Sequence, residues 1–342
     1  MKTLRTALIG LGRIGWKFHL PNIVRHPGFE LIAVVDPSEE RLKEADTEYR
    51  VKGYQDYRQL LDSEKLDVVV IASPTPFHAD QAIASFDSGC DVFCEKPLTA
   101  SLQDTDRVIA SMRSNHRKLM VYQPHRGMAP VVALRDVLKE DLIGRIYLIK
   151  RTHTGYQLRN DWQAFRKYGG GMLNNYGAHF IDQLLSLSGR NVKKASCWLR
   201  SEASLGDAED VVKALLECDD GLLLDLEINM ATAVQMPPWF ILGKTGAIVQ
   251  DEQNKSWKIR YFRDSELGEI ATQEGLAAEQ RSYGCGVTIP WREVLRSYEH
   301  YAPVDHYQKL YEHIALNRDP FVPIEQTREL MRVIEECRRV AE

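Results

Sequence analysis

Little in this 342-residue chain marks it for a membrane, a nucleic acid or an oxidising compartment. No stretch approaches the roughly 20 consecutive apolar residues that a transmembrane helix needs. Lysine and arginine total 44 against 48 aspartate and glutamate, a formal charge of −4. Without a basic run interleaved with aromatics, no phosphodiester backbone is expected as a partner. Six cysteines (90, 94, 197, 218, 285 and 337) are scattered, with no Cys-x-x-Cys pair. Cys90 and Cys94 bracket a strand-like Asp-Val-Phe, where residues four apart stand about 13 Å from each other and cannot share a disulfide or a metal. All six read as reduced thiols, and no metal is expected. The opening Met1-Lys2-Thr3-Leu4-Arg5 lacks the apolar segment and cleavage site of a secretory signal, so the expected location is cytoplasmic. Neither an internal repeat nor a biased tract is found.

What remains is an ordinary globular composition on a chain too long for one comfortable core, so two domains are expected. Over the first 125 residues, apolar runs at Thr6–Ile9, Leu31–Val35, Val68–Ala72, Val92–Cys94 and Leu119–Tyr122 alternate with helix-period segments. These segments are Ile14–His26, Glu39–Tyr49, Ala79–Ser88 and Leu102–His116. Continuously apolar strands separated by helices predict a parallel sheet covered on both faces. Pro21 should kink or split the first helix. After Pro130 the texture changes to one helix (Val131–Glu140) and then alternating segments, with a hairpin signal at Asp219-Asp220-Gly221. The expected fold is therefore α/β: an N-terminal Rossmann parallel sheet over 1–125, then an α/β domain over 126–342 on a large, mostly antiparallel open sheet. Two helices, Val304–Leu316 and Glu325–Ala341, should close the chain. Gly268–Thr288 has no clear period and reads as a loop over the site or a partner.

Gly10-Leu11-Gly12-Arg13-Ile14-Gly15 follows the first strand and opens a helix, the context a dinucleotide signature requires. Gly10 allows the tight turn, Gly12 lets backbone approach a pyrophosphate, and Gly15 lets helix pack on strand. Arg13 and Ile14 begin a helix whose free N–H groups favour the phosphates. Asp36 ends the second strand, placed to bind ribose hydroxyls and repel a 2′-phosphate; this favours NAD over NADP. Arg41 is the counter-signal, a cation able to neutralise a 2′-phosphate. Ser73, Thr75 and His78, in the loop after Val68–Ala72, can line the cofactor.

A Gly169-Gly170-Gly171 entry precedes a helix with Asn175, His179 and Asp182 at i, i+4 and i+7, on one face. Read alone, each is an ordinary helix residue. Together with the glycine signature, Thr75-Pro76-Phe77-His78, Glu95-Lys96-Pro97 and Phe240-Ile241-Leu242-Gly243-Lys244-Thr245-Gly246, the chain resembles the Gfo/Idh/MocA family over its whole length. The resemblance implies an NAD(P)-dependent oxidoreductase for hydroxyls of sugars, polyols or related rings, often a homodimer or homotetramer built through the C-terminal sheet. It implies that Lys96 lies near nicotinamide and substrate, and that His179 is the acid/base. Alcohol oxidation needs both a base for the O–H proton and a cation for the developing alkoxide, which histidine and lysine supply.

Glu95 is expected to orient Lys96 beside the cofactor, and Asp182 to set the His179 tautomer or cap the packing. Gln123, where the family often has asparagine, is placed on the nicotinamide side. Arg126, Tyr156 and Trp162 are candidate pocket walls, with Trp162 equally readable as a domain-interface core residue. Asn175 stands where many family members carry aspartate; an amide can position a hydroxyl but not take its proton. Two alternatives stay open: a glycosidase retaining NAD for transient oxidation, and a non-catalytic sensor of nucleotide or sugar.

Overall fold

The computed structural model describes residues 2–270 and 287–341; most of the expected Gly268–Thr288 loop lies outside them. The N-terminal alternation folds into β1 (Leu4–Ile9), α1 (Leu20–Arg25), β2 (Phe29–Val35), α2 (Glu39–Tyr49), β3 (Lys52–Tyr54), α3 (Tyr57–Ser63), β4 (Val68–Ile71), α4 (His78–Asp87), β5 (Asp91–Cys94), α5 (Leu102–Ser114) and β6 (Leu119–Val121). The six strands are parallel, in the order β3-β2-β1-β4-β5-β6. The strand order switches direction between β1 and β4, and the crevice beyond their carboxyl ends is where such sheets take ligands. The first helical stretch is split as Pro21 demands: a wide turn over Gly15–His19 leads into α1, whose first turn tolerates a residue without an N–H. Neither β3 nor α3 was foreseen, because Lys52-Gly53-Tyr54 buries one side chain and carries no apolar run.

The second half supplies α6 (Ala129–Lys139), β7 (Ile146–Thr154), α7 (Ala178–Ser188), β8 (Val192–Arg200), β9 (Val211–Cys218), β10 (Leu223–Asn229), β11 (Trp239–Gly243), β12 (Gly246–Asp251), β13 (Ser256–Tyr261), β14 (Arg292–Ser297), α8 (His306–Leu316) and α9 (Ile324–Ala341). Eight strands lie in the order β14-β13-β12-β11-β7-β10-β9-β8, antiparallel except for the β10–β7 pair. One face buries Ile149, Leu216, Leu226, Ile228, Ile241 and Ile259 against Phe180, Ile181 and Leu184 of α7 and Leu330, Val333 and Ile334 of α9. The edge strand β14 escaped the sequence reading because it buries nothing.

At α8, packing crosses the expected boundary at residue 125. Tyr307, Leu310 and Tyr311, at i, i+3 and i+4 of α8, share a core with Leu4, Leu8, Phe29 and Phe93 of the first sheet. The chain thus crosses to the second sheet and returns. Among the described residues no helix is long and apolar enough to cross a membrane.

Candidate functional site

The glycine turn is held by the protein's own packing at two of its three positions. Gly10 has φ +98°, and a Cβ there would lie 2.7 Å from the Ala72 carbonyl; at Gly15 it would lie 1.9 Å from Gly10 O. Around Gly12, by contrast, nothing stands within 4 Å, which leaves its backbone open to an approaching group. Arg13 is exposed and Ile14 partly so, in the first turn of a helix whose leading N–H groups have no intrahelical carbonyl. Asp36 is buried: its Oδ2 accepts from Leu11 N (2.8 Å), its Oδ1 from Ser38 N (3.0 Å), and Arg41 lies 3.3 Å away. Its carboxylate therefore braces the glycine turn and meets Arg41 directly. A turn, an open backbone and an adjoining carboxylate are the donor set a dinucleotide requires, so the residues present fit NAD.

Three expected cofactor contacts are placed differently. His78 is buried, its ring pinned between Ser73 O (2.8 Å) and Pro97 O (3.1 Å), so it ties two loops together rather than lining a crevice. The Ser73 hydroxyl donates to Gln81 (2.7 Å), while Thr75 is half-buried at the helix entry. Glu95 accepts from His19 (3.1 Å) and from the backbone N–H of Lys96 (3.0 Å), not from the Lys96 ammonium. Gln123, in the turn just after β6, is buried with both amide atoms unpartnered. A buried amide so placed needs a partner from outside the chain.

Lys96 and the α7 entry converge. Lys96 Nζ donates to the Asn175 carbonyl (3.1 Å) and side-chain oxygen (3.4 Å), across 79 residues of sequence. The Asn175 amide in turn donates to Gln163 Oε1 (3.2 Å), which also accepts from Arg159. An amide suits this position because it accepts from Lys96 and donates to Gln163 at once.

One turn on, the His179 ring stacks face to face on His125, centroids 4.0 Å apart and planes 4° from parallel. The Nδ1 atoms of both rings are buried without a partner. Asp182 does not orient His179. It pairs with Arg126, Nε to Oδ2 at 2.9 Å with a second contact from the same guanidinium, both side chains buried. Arg126 is thereby withdrawn from the pocket wall expected of it, and holds α7 against the turn after β6. Tyr156 and Trp162 are 64% and 56% exposed, which removes the core reading of Trp162.

The surroundings set the charges. Burial, helped by Arg13 and opposed by Glu95, pulls Lys96 down to about 8. Burial pushes His179 well below its usual 6.5, with Lys96 and His125 adding to the effect. His125 falls to about 4, through burial and then Arg151, Lys96 and His153. Both imidazoles are therefore neutral at pH 7, while Lys96 is brought within reach of neutral pH.

Sequence reasoning missed Glu209. Its Oε1 accepts from Leu173 N (3.1 Å) and its backbone O from Met172 N (2.9 Å), anchoring the entry to the site helix. Gly171, at φ +102°, is required there, since a Cβ would fall 2.2 Å from Glu209 Oε1. A glutamate 36 residues downstream carries no local signal; only the triple glycine hinted that something approaches closely.

Comparison with known proteins agrees with this architecture. Residues 4–123 match the oxidoreductase family with an NAD-binding Rossmann fold, and residues 131–249 match the GFO/IDH/MocA C-terminal domain. The chain belongs to the Gfo/Idh/MocA oxidoreductase family. It is 29% identical over 220 residues to the uncharacterized oxidoreductase YrbE of Bacillus subtilis, covering 63% of this chain and 64% of that one. It is 27% identical over 216 residues to the myo-inositol 2-dehydrogenase of Thermotoga maritima, covering 62% and 64%. The chain thus spans less than two thirds of the length of these relatives. An NAD-binding protein from Listeria innocua shares the fold, with TM-score 0.82 at 23% identity, over 99% of this chain and 95% of that one.

Proposed function

We propose that this protein is an NAD-dependent oxidoreductase that moves a hydride between nicotinamide and a secondary hydroxyl of a cyclic sugar, polyol or derivative. The observation that carries this reading is the meeting of Lys96 with Asn175, one turn before the stacked His179. NAD, when bound along the glycine turn, supplies the hydride acceptor. Gly10, Gly12, Arg13 and Ile14 receive its phosphates, Asp36 its ribose, and Gln123 the polar end of the nicotinamide. Asp36 supports NAD over NADP even with Arg41 beside it, because a buried carboxylate repels a 2′-phosphate.

On this reading His179, neutral at pH 7, accepts the hydroxyl proton, while the Lys96 ammonium donates to the same oxygen and stabilises its developing charge. Asn175 holds Lys96 and presents its amide to the ring. Tyr156 and Trp162 offer exposed aromatic faces for a sugar. Replacing Lys96 or His179 by alanine should lower kcat roughly 10²- to 10⁴-fold while cofactor binding, read by fluorescence titration, is largely kept. Unchanged turnover in both variants refutes the assignment.

The face of the eight-stranded sheet that no described residue covers is the surface through which copies would associate. Trp198, Leu215, Phe240 and Leu295 project from it, each more than a third exposed. Lys150, Lys213, Asp225 and Glu227 form a charged strip across its middle.

A further inference from the structure

The charge around Lys96 is unbalanced. Its ammonium meets two oxygens of Asn175, both neutral. Glu95 brings a carboxylate within electrostatic reach but bonds His19 and the Lys96 backbone N–H, not the ammonium, and Arg13 opposes it as a second cation. His125 and His179 beside it have no hydrogen-bonded acid, and each is pushed further toward neutrality by the surrounding cations. Carboxylates near the site are committed elsewhere: Asp182 to Arg126, Glu95 to His19, Asp161 to Arg159, and Asp36 to Arg41 and the glycine turn. Arg159 reaches Asn175 through Gln163, and its Nε is buried with no partner. Among the described residues, the site therefore combines a cation lacking a contacting anion with unpaired donors.

A cation withdrawn from water without a counter-ion is unfavourable, and an arriving anion of the right shape relieves that cost. With NAD bound, its phosphates would meet Arg13, and the cationic nicotinamide ring would be the charge left facing Lys96.

We propose that the substrate of this site is an anion: a cyclic sugar or polyol bearing a carboxylate, held against Lys96 with the Arg159–Gln163 arm behind it. The proposal rests on the oxidoreductase reading for the hydroxyl chemistry, and adds the charge of the molecule that carries the hydroxyl. Asn175 is then the residue that sets specificity, since an aspartate there would supply internally the charge that the substrate brings.

The test is calorimetric binding to the full chain with NADH in place of NAD, so that no hydroxyl can be oxidised, for matched pairs: glucuronate with glucose, galacturonate with galactose, and glucose 6-phosphate as the alternative anion. The uronate should bind at least about ten-fold tighter than its parent hexose, with an advantage that shrinks as salt rises. Asn175→Asp and Lys96→Met should each erase that advantage, read as the ratio of uronate to hexose affinity so that a loss of binding common to both sugars cancels. Circular dichroism checks that both variants fold. Equal binding of hexose and uronate overturns the proposal, as does an advantage that survives both substitutions, binding of no acid in the panel, or a preference for the phosphate. Because binding does not read hydride transfer, a uronate that binds tightly yet yields no NADH overturns the oxidoreductase reading and leaves the charge preference standing.

Discussion

Lys96 is shifted close enough to working pH for the consequences of its protonation to be signed. Its folded value, about 8, lies below the usual 10.5 because burial disfavours the ammonium. The cationic form is thus present below about pH 8 and lost above it. His179, pushed well below 6.5, stays neutral and able to accept a proton throughout the same range. Initial rates of alcohol oxidation should therefore be level around neutrality and fall as pH rises through about 8. A kcat/KM that climbs steadily from pH 7 to 9.5 would show that Lys96 acts as a base instead. These roles were partly legible beforehand: Glu95-Lys96-Pro97 and the helix spacing pointed to the pair. Which group titrates was not, because that depends on burial and on neighbours such as Arg13 and His125, which meet the site only in the folded chain.

At the level of elements, the site helix is fastened at two points. One is built from Arg126 and Asp182, which the sequence reading did not pair with each other, and the other from Glu209, which it left unassigned. Arg126 and Asp182 lock α7 to the turn after β6, and Glu209 caps its entry. Breaking the buried pair on one side strands a charge. Arg126→Met should cost about 3–5 kcal/mol in urea unfolding, whereas replacing Arg126 and Asp182 together by Met and Leu should cost much less. A single variant within about 1 kcal/mol of wild type would mean that the lock contributes little. The i+7 position of Asp182 correctly placed it on the site face. Its partner is a matter of tertiary geometry, since an aspartate facing a histidine-bearing stripe satisfies an arginine as readily as an imidazole.

Considered whole, the molecule pairs a sheet covered on both faces with one left open. The apolar residues on that open face should make it an interface between copies. Light scattering after size exclusion should find a dimer or tetramer, and Trp198→Glu combined with Phe240→Glu should release monomers. A wild-type chain that runs as a monomer at micromolar concentration contradicts this. The return of α8 to the first sheet also makes the two halves interdependent, so separate expression of 1–125 would leave Phe29 and Phe93 without Tyr307 and Tyr311.

By itself, the sequence determined the α/β class, the parallel and antiparallel sheets and the glycine turn. These follow from hydrophobic period and from backbone angles that only particular residues adopt, both local properties. Only the tertiary structure decided that Lys96 meets Asn175, that His125 stacks on His179, that Arg126 pairs with Asp182 and not with substrate, and that α8 crosses back. Those contacts join residues tens to hundreds of positions apart. They arise from packing two sheets against shared helices, and no window of sequence contains both members of any such pair except by spacing already used for a helix face.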